Sequence, residues 1–391
     1  MFRRMGRSIG STMAKSIRVL VEGQNTALPV IGQYIPALDG LRGTAILLVV
    51  MHHLAQSVEY EFGFRNPVQR AAVFGWTGVE LFFALSGYLA TGGLYDRKGS
   101  EYYLRNFHAR RALRLFPLYY GALLFALLLR AVWPQAGIYG TENPAWLWVY
   151  LTNFVIAWKG AGAFGFLDHF WWLAVEQHFY LLWPLAVYWL NRRRLMQLAV
   201  ALFLTSFALR TAFVLGGMNP DAVYVLTPMR LDALSAGAFL ALLVRRPEGL
   251  RKLARPAGLV WGASGLGILS VVIATHTVYH AEPLMQTLGF ALLAVFFGAL
   301  LVLSLTTPLQ RVFNAGILRW FGKYSYGIYI WHPILFILVL HTDPARAIRG
   351  GDGFVEMLLS IGVALGVTCV VTLLSWHFLE SQVLKLRGYF S

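Results

Sequence analysis

The stretch IPALDGLRGTAILLVVMHHL, residues 35–54, decides how this chain is read. An apolar run lies between Arg42 and the doublet His52-His53. On a helix the eleven residues from Arg42 to His53 correspond to roughly 16 Å of axial rise. If Arg42 sits at the rim of a bilayer, His53 sits near its middle. A charged side chain at that depth costs about 2.5–3.5 kcal/mol, so an ionisable residue there points to function. A cation at the rim and a proton-handling ring deeper in the same helix imply a reagent that enters from the cytosol and reacts inside the membrane.

The composition carries that reading to the whole chain. Its 391 residues are 58% apolar and only 13% charged, with a mean hydropathy of +0.59. Soluble domains are nearer a quarter charged. Apolar stretches of near-spanning length fall at about 43–63, 73–93, 116–133, 171–190, 195–215, 231–244, 257–276, 286–305, 326–341 and 354–376. The expected fold is therefore all-α, a polytopic membrane protein of about ten transmembrane helices. A further apolar piece, 146–158, is too short to span comfortably and reads as re-entrant or interfacial. With the N-terminus inside, most of the 33 Lys and Arg fall in cytoplasmic segments, so the positive-inside rule sets the orientation as N-in, C-in. The net charge of +15 then reflects membrane topology and gives no reason to expect a nucleic-acid partner. Residues 1–33 read as a basic cytoplasmic tail without a signal-peptide core, residues 34–385 as one membrane domain, and 386–391 as a short cytoplasmic tail. Cys369, the single cysteine, excludes a disulfide within the chain and a cysteine metal site. No metal is expected.

Several segments add chemistry. Residues 78–88, GVELFFALSGY, place Glu80 and Ser86 at lipid depth among small residues that allow close helix approach. Ser86 alone is compatible with helix packing. Glu80 needs a partner or a proton. Arg111 and Arg114, three apart, share a helix face and can grip phosphate by charge-assisted hydrogen bonds. With Arg42 they would form a cationic cup suited to a cytosolic donor bearing several phosphates. The segment 168–184, DHFWWLAVEQHFYLLWP, opens with interfacial tryptophans, Trp172 among them. It carries Glu176 about a turn and a half deeper, where a carboxylate within reach of His53 would hold one imidazole tautomer. His178 reads as a satisfied core or interface histidine. Arg230 and Asp232 are two apart and so face different ways; each either pairs elsewhere or meets a polar acceptor. Lys323, in GKYSYGIYIWHP at 322–333, either completes the donor site or anchors the helix at the interface.

These motifs together resemble the bacterial acyltransferase-3 family of membrane O-acyltransferases, over about residues 35–385. The family's basic residue, ten intervening residues and histidine correspond to Arg42 and His53, and its Arg-x-x-Arg pattern to Arg111 and Arg114. Its Trp–Glu segment matches 171–176, and its GKYSYGIYIWHP-like element matches 322–333. The resemblance implies an inner-membrane enzyme that takes an acyl group, usually acetyl, from cytosolic acyl-CoA. The acceptor would be a carbohydrate or related hydroxyl on the extracytoplasmic side. It also implies the stand-alone form, without the hydrolase-like domain that some relatives carry. The expected site has Arg42, Arg111, Arg114 and Lys323 on acetyl-CoA, with Ser86, Trp172, Arg230 and Asp232 toward the acceptor. His53 would act as general base or transient acyl carrier, oriented by Glu176. The rival reading is a proton-coupled transporter or flippase of a sugar or lipid-linked glycan, which also suits buried ionisable groups. A cationic cup on one side and no visible inverted repeat favour the enzyme.

Overall fold

The computed structural model describes residues 34–62, 67–134, 140–245, 250–341 and 354–390. The expected basic tail, 1–33, lies outside the described residues. The chain is an all-α polytopic membrane protein, with no β-strand among the described residues. Each of the ten apolar stretches falls on a long helix. These are α1 (Pro36–Phe62), α2 (Gly78–Asp96), α3 (Tyr103–Val132), α4 (Trp171–Trp189), α5 (Arg192–Leu215), α6 (Leu231–Leu243), α7 (Ala254–Thr275), α8 (Phe290–Thr306), α9 (Gly316–Phe336) and α10 (Phe354–Ser375). Among the described residues seven helices are long and apolar enough to cross a membrane by length and composition. The other three long helices are α1, α4 and α6. Helix α6 has only 13 residues, and α1 and α4 are diluted by the polar residues discussed below.

Two pairs of helices approach each other closely. A β-carbon on Gly40 would collide with the carbonyl of Phe313, on Gly43 with that of Leu318, and on Gly322 with that of Asp39. Helices α1 and α9 therefore meet backbone to backbone at Gly43 and Gly322, and ten residues further along each helix His53 meets His332, so the two run parallel. Gly87 and Gly237 do the same for α2 and α6, against the carbonyls of Leu234 and Ala84. Close approach through small residues replaces the hydrophobic drive that lipid does not supply between helices.

Segment 146–158 is not one helix. It forms two short ones, Ala145–Trp148 and Thr152–Lys159, broken where Tyr150 adopts φ +56°. Trp146, Trp148 and Trp158 are exposed while Leu147 and Asn153 are buried. Tyr119 holds the turn by donating to the Leu147 carbonyl at 2.7 Å.

Replacing Gly43 or Gly322 with alanine should push α1 from α9 and cost about 1–3 kcal/mol. The measurement is thermal unfolding in detergent, with Gly258→Ala, where a β-carbon meets open space, as the control. Equal unfolding temperatures for all three variants would contradict the contact.

Candidate active site

Two connected cavities organise the polar residues. The outer one, about 230 Å³, is lined by Arg42, Arg97, Arg110, Arg111, Arg114 and Arg387, with apolar residues between them. The inner one, about 60 Å³, shares Arg42, Arg111 and Arg114 and continues to Ser86, Glu176, Trp172 and Tyr329. Six of the expected site residues thus line two adjacent cavities that share Arg42, Arg111 and Arg114. Arg42 is paired with Asp39 at 2.6 Å. Arg111 lies 4.2 Å over the Tyr180 ring, and Arg110 donates to the Phe390 carbonyl at 2.8 Å. None of the ion pairs among the described residues involves Arg97, Arg110, Arg111, Arg114 or Arg387. Converging guanidinium groups without carboxylates repel one another, and a bound polyanion relieves that repulsion.

Arg97, Arg110 and Arg387 escaped the sequence reading. The first two looked like part of a topological run of positive charge. Arg387 reaches the cavity only because the chain's 3₁₀ segment Lys385–Phe390 folds back against α3. Lys323 lines neither cavity. It is exposed and lies 4.9 Å over the Tyr324 ring and 5.4 Å over that of Trp376, which is an anchor's position.

Glu176 faces the inner cavity. Its Oε1 accepts from the Ser86 hydroxyl and, at 2.5 Å, from the Tyr180 hydroxyl one turn along α4. Among the described residues no hydrogen bond joins Glu176 to His53, although the sequence reading had the carboxylate orienting that ring. Periodicity gives the depth of Glu176 along α4, but the helix turns its carboxylate toward α2. Between the inner cavity and His53 stand Trp172 and Tyr329, with ring centroids 4.8 Å apart. The Tyr329 hydroxyl is fixed by donation to the His169 carbonyl.

Beyond that pair lies a cluster of histidines. His53 Nδ1 is 3.0 Å from the Val49 carbonyl and 3.1 Å from Nε2 of His332. His332 Nδ1 bonds the Ile328 carbonyl at 2.8 Å. His52 Nδ1 bonds the Val73 carbonyl at 2.7 Å, and His169 Nδ1 that of Phe166 at 2.8 Å. His52, His169 and His332 are buried, whereas His53 keeps partial exposure. The two rings of the doublet thus have different partners, His52 the Val73 carbonyl and His53 the His332 ring. His178 behaves as a satisfied interface histidine, bonded to Thr227 at 2.8 Å.

The loops beyond the cluster carry few free charges. Burial pushes the Asp168 carboxyl up to about 6, against the pull of N–H bonds from Phe164 and Gly162. Burial lowers His280 to about 4, so its ring is neutral at pH 7.

A family model described as an acyltransferase domain (Acyl_transf_3) matches residues 35–379. The chain belongs to the acyltransferase-3 family. Relatives of this family member include the peptidoglycan O-acetyltransferase OatA of Listeria monocytogenes, 28% identical over 376 residues, covering 90% of this chain and 56% of the relative. The putative peptidoglycan O-acetyltransferase YrhL of Bacillus subtilis is 28% identical, covering 91% and 56%. The O-acetyltransferase OatA of Staphylococcus aureus is 26% identical, covering 91% and 58%. The chain thus spans a little over half the length of these curated relatives. No solved structure matches it.

Within this acyltransferase-3 chain, Arg230 and Asp232 line neither cavity. Arg230 pairs with Glu80, and Asp232 with Arg210 at 2.7 Å; all four side chains are fully buried. Arg230 is framed by the rings of Phe290 at 4.5 Å and Tyr224 at 5.2 Å. Arg210 also donates to the carbonyls of Met229 and Gln286, at 2.5 and 2.8 Å. These charges tie α2, α5 and α6 together, and Glu80 finds here the partner its depth demands.

Glu80→Met should strand the Arg230 charge and cost roughly 3–5 kcal/mol, most of it recovered in Glu80→Met with Arg230→Met. Unfolding in detergent measures both. A single variant as stable as wild type would remove this structural assignment.

Proposed function

We propose that this chain transfers an acetyl group from cytosolic acetyl-CoA to a carbohydrate hydroxyl on the extracytoplasmic side of a bacterial inner membrane. The observation that carries the reading is the six-arginine cavity, which shares Arg42, Arg111 and Arg114 with the neighbouring cavity lined by Ser86, Glu176, Trp172 and Tyr329. Coenzyme A is a polyanion joined to a long neutral arm that ends in a thioester. Its phosphates suit the arginines, and its arm suits the narrow inner cavity. The Lys and Arg distribution supports an N-in, C-in orientation, with the arginines facing the cytosol. The O-acetyltransferase names of the relatives support acetyl as the group and a glycan as the acceptor.

In this reading Trp172 and Tyr329 turn aside to admit the thioester. The partly exposed His53 takes the proton of the acceptor hydroxyl as the oxygen attacks the thioester carbonyl. The carbon–sulfur bond then breaks, and the imidazolium returns the proton to the departing thiolate. General-base assistance of this kind is worth roughly 10²–10⁴ in rate. Glu176 with Ser86 and Tyr180 shapes the donor passage and does not touch His53. The transporter reading loses ground to the family membership, and no observation favours it.

His53→Ala should abolish acetyl transfer in nanodiscs while acetyl-CoA binding, measured by calorimetry, stays within a few fold. Transfer at the wild-type rate would exclude His53 as the base. Arg111→Ala, Arg114→Ala and Arg387→Ala should each weaken acetyl-CoA binding roughly ten- to a hundredfold, as expected for loss of a charge-assisted hydrogen bond. Unchanged affinity in all three would place the donor elsewhere.

A further inference from the structure

The histidine cluster contains a chain of hydrogen bonds whose direction is fixed by chemistry. A carbonyl oxygen only accepts. The 2.8 Å contact of His332 Nδ1 with the Ile328 carbonyl therefore requires the proton of neutral His332 to be on Nδ1. Its Nε2 is then a bare lone pair, and it faces Nδ1 of His53 at 3.1 Å. To complete that bond His53 must carry its own proton on Nδ1. The second acceptor at that atom, the Val49 carbonyl at 3.0 Å, demands the same. In a helix that carbonyl already receives the backbone N–H of residue 53, so the His332 lone pair is the acceptor with nothing else to hold. The reverse direction would require a doubly protonated imidazolium at 332. That ring is fully buried and has no carboxylate bonded to it among the described residues.

We propose that His332 is a positioning residue that locks His53 in the Nδ1-protonated tautomer and leaves its Nε2 lone pair free for the acceptor hydroxyl. The proposal deepens the reading of His53 as the base and rests on it. His53 Nε2 has no hydrogen-bond partner among the described residues, and His53 is the partly exposed ring of the cluster. When His53 takes a proton at Nε2, the imidazolium strengthens its Nδ1–H bond to His332. The second ring thus does for the first what a carboxylate does in hydrolase triads. Parallel packing of α1 on α9 makes this possible, because it sets residues 53 and 332 at one level.

The test uses the full chain in lipid nanodiscs, labelled with ¹⁵N-histidine, with the His53 signals assigned by their loss in His53→Gln. In wild type the neutral His53 ring should show protonated Nδ1 and bare Nε2; the opposite pattern overturns the proposal outright. His332→Phe keeps a ring but offers no lone pair. It should shift His53 toward the other tautomer and lower kcat by roughly 10²–10⁴, with KM for acetyl-CoA within about twofold. His332→Gln, whose amide oxygen can stand near the place of Nε2, should restore at least tenfold of that loss. A His332→Phe variant with wild-type kcat, or a folded His332→Gln no better than His332→Phe, overturns the positioning role. An active His53→Ala variant would instead overturn the base on which the proposal rests, so the two failures are separable.

Discussion

Everything in this bundle follows from how closely α1 can lie on α9. Gly43 on α1 and Gly322 on α9 let backbone touch backbone, and from that contact the two helices rise in parallel to the His53–His332 pair. One end of the contact holds Arg42 against the basic cavity. Near its other end His53 meets His332. Lipid offers no hydrophobic gain for bringing helices together, so packing geometry and polar pairing must do it. A single methyl group at the crossing would separate the histidine pair and shift Arg42 away from Arg111 and Arg114.

The same constraint sorts the ionisable residues into two kinds. Glu80, Arg210, Arg230 and Asp232 neutralise one another in a closed network away from any cavity. The arginines of α3 and Arg387 make no ion pair among the described residues. Burying uncompensated charge is costly, and a bundle that keeps such a cluster beside an open space has a reason to bind an anion there. Charges of the first kind hold helices together; charges of the second kind wait for a ligand.

The all-α membrane fold and part of the arginine cavity could be read from residue order, because hydropathy marks the apolar helices and three-residue spacing fixes which arginines share a face. Arg42, Arg111 and Arg114 were legible for that reason. Glu176 and Ser86, read separately as polar groups within spans, do line the same cavity. The side of the helix each faces was not legible, since neighbours across helices depend on rotation that spacing does not encode. Glu176 accordingly proved to be bonded to Ser86 and Tyr180. His332, inside a motif read as an interface anchor, proved to be the partner of His53. Arg387 was hidden by a chain reversal that no local pattern announces. Arg230 and Asp232 were correctly read as facing apart, but their partners, Glu80 and Arg210, lie far away in sequence.

The tilted rings of Trp172 and Tyr329 would, in the proposed reaction, matter to the cell as well. A passage open from the cytosol to the histidines would let water wires form, and protons would leak down the electrical gradient. A unit charge falling through 100 mV releases about 2.3 kcal/mol, which is energy the organism needs for other work. In the proposed reaction these two rings, one of them pinned by its hydroxyl to the His169 carbonyl, would serve as the insulator, so that an acyl group could pass while the bilayer stays closed to protons.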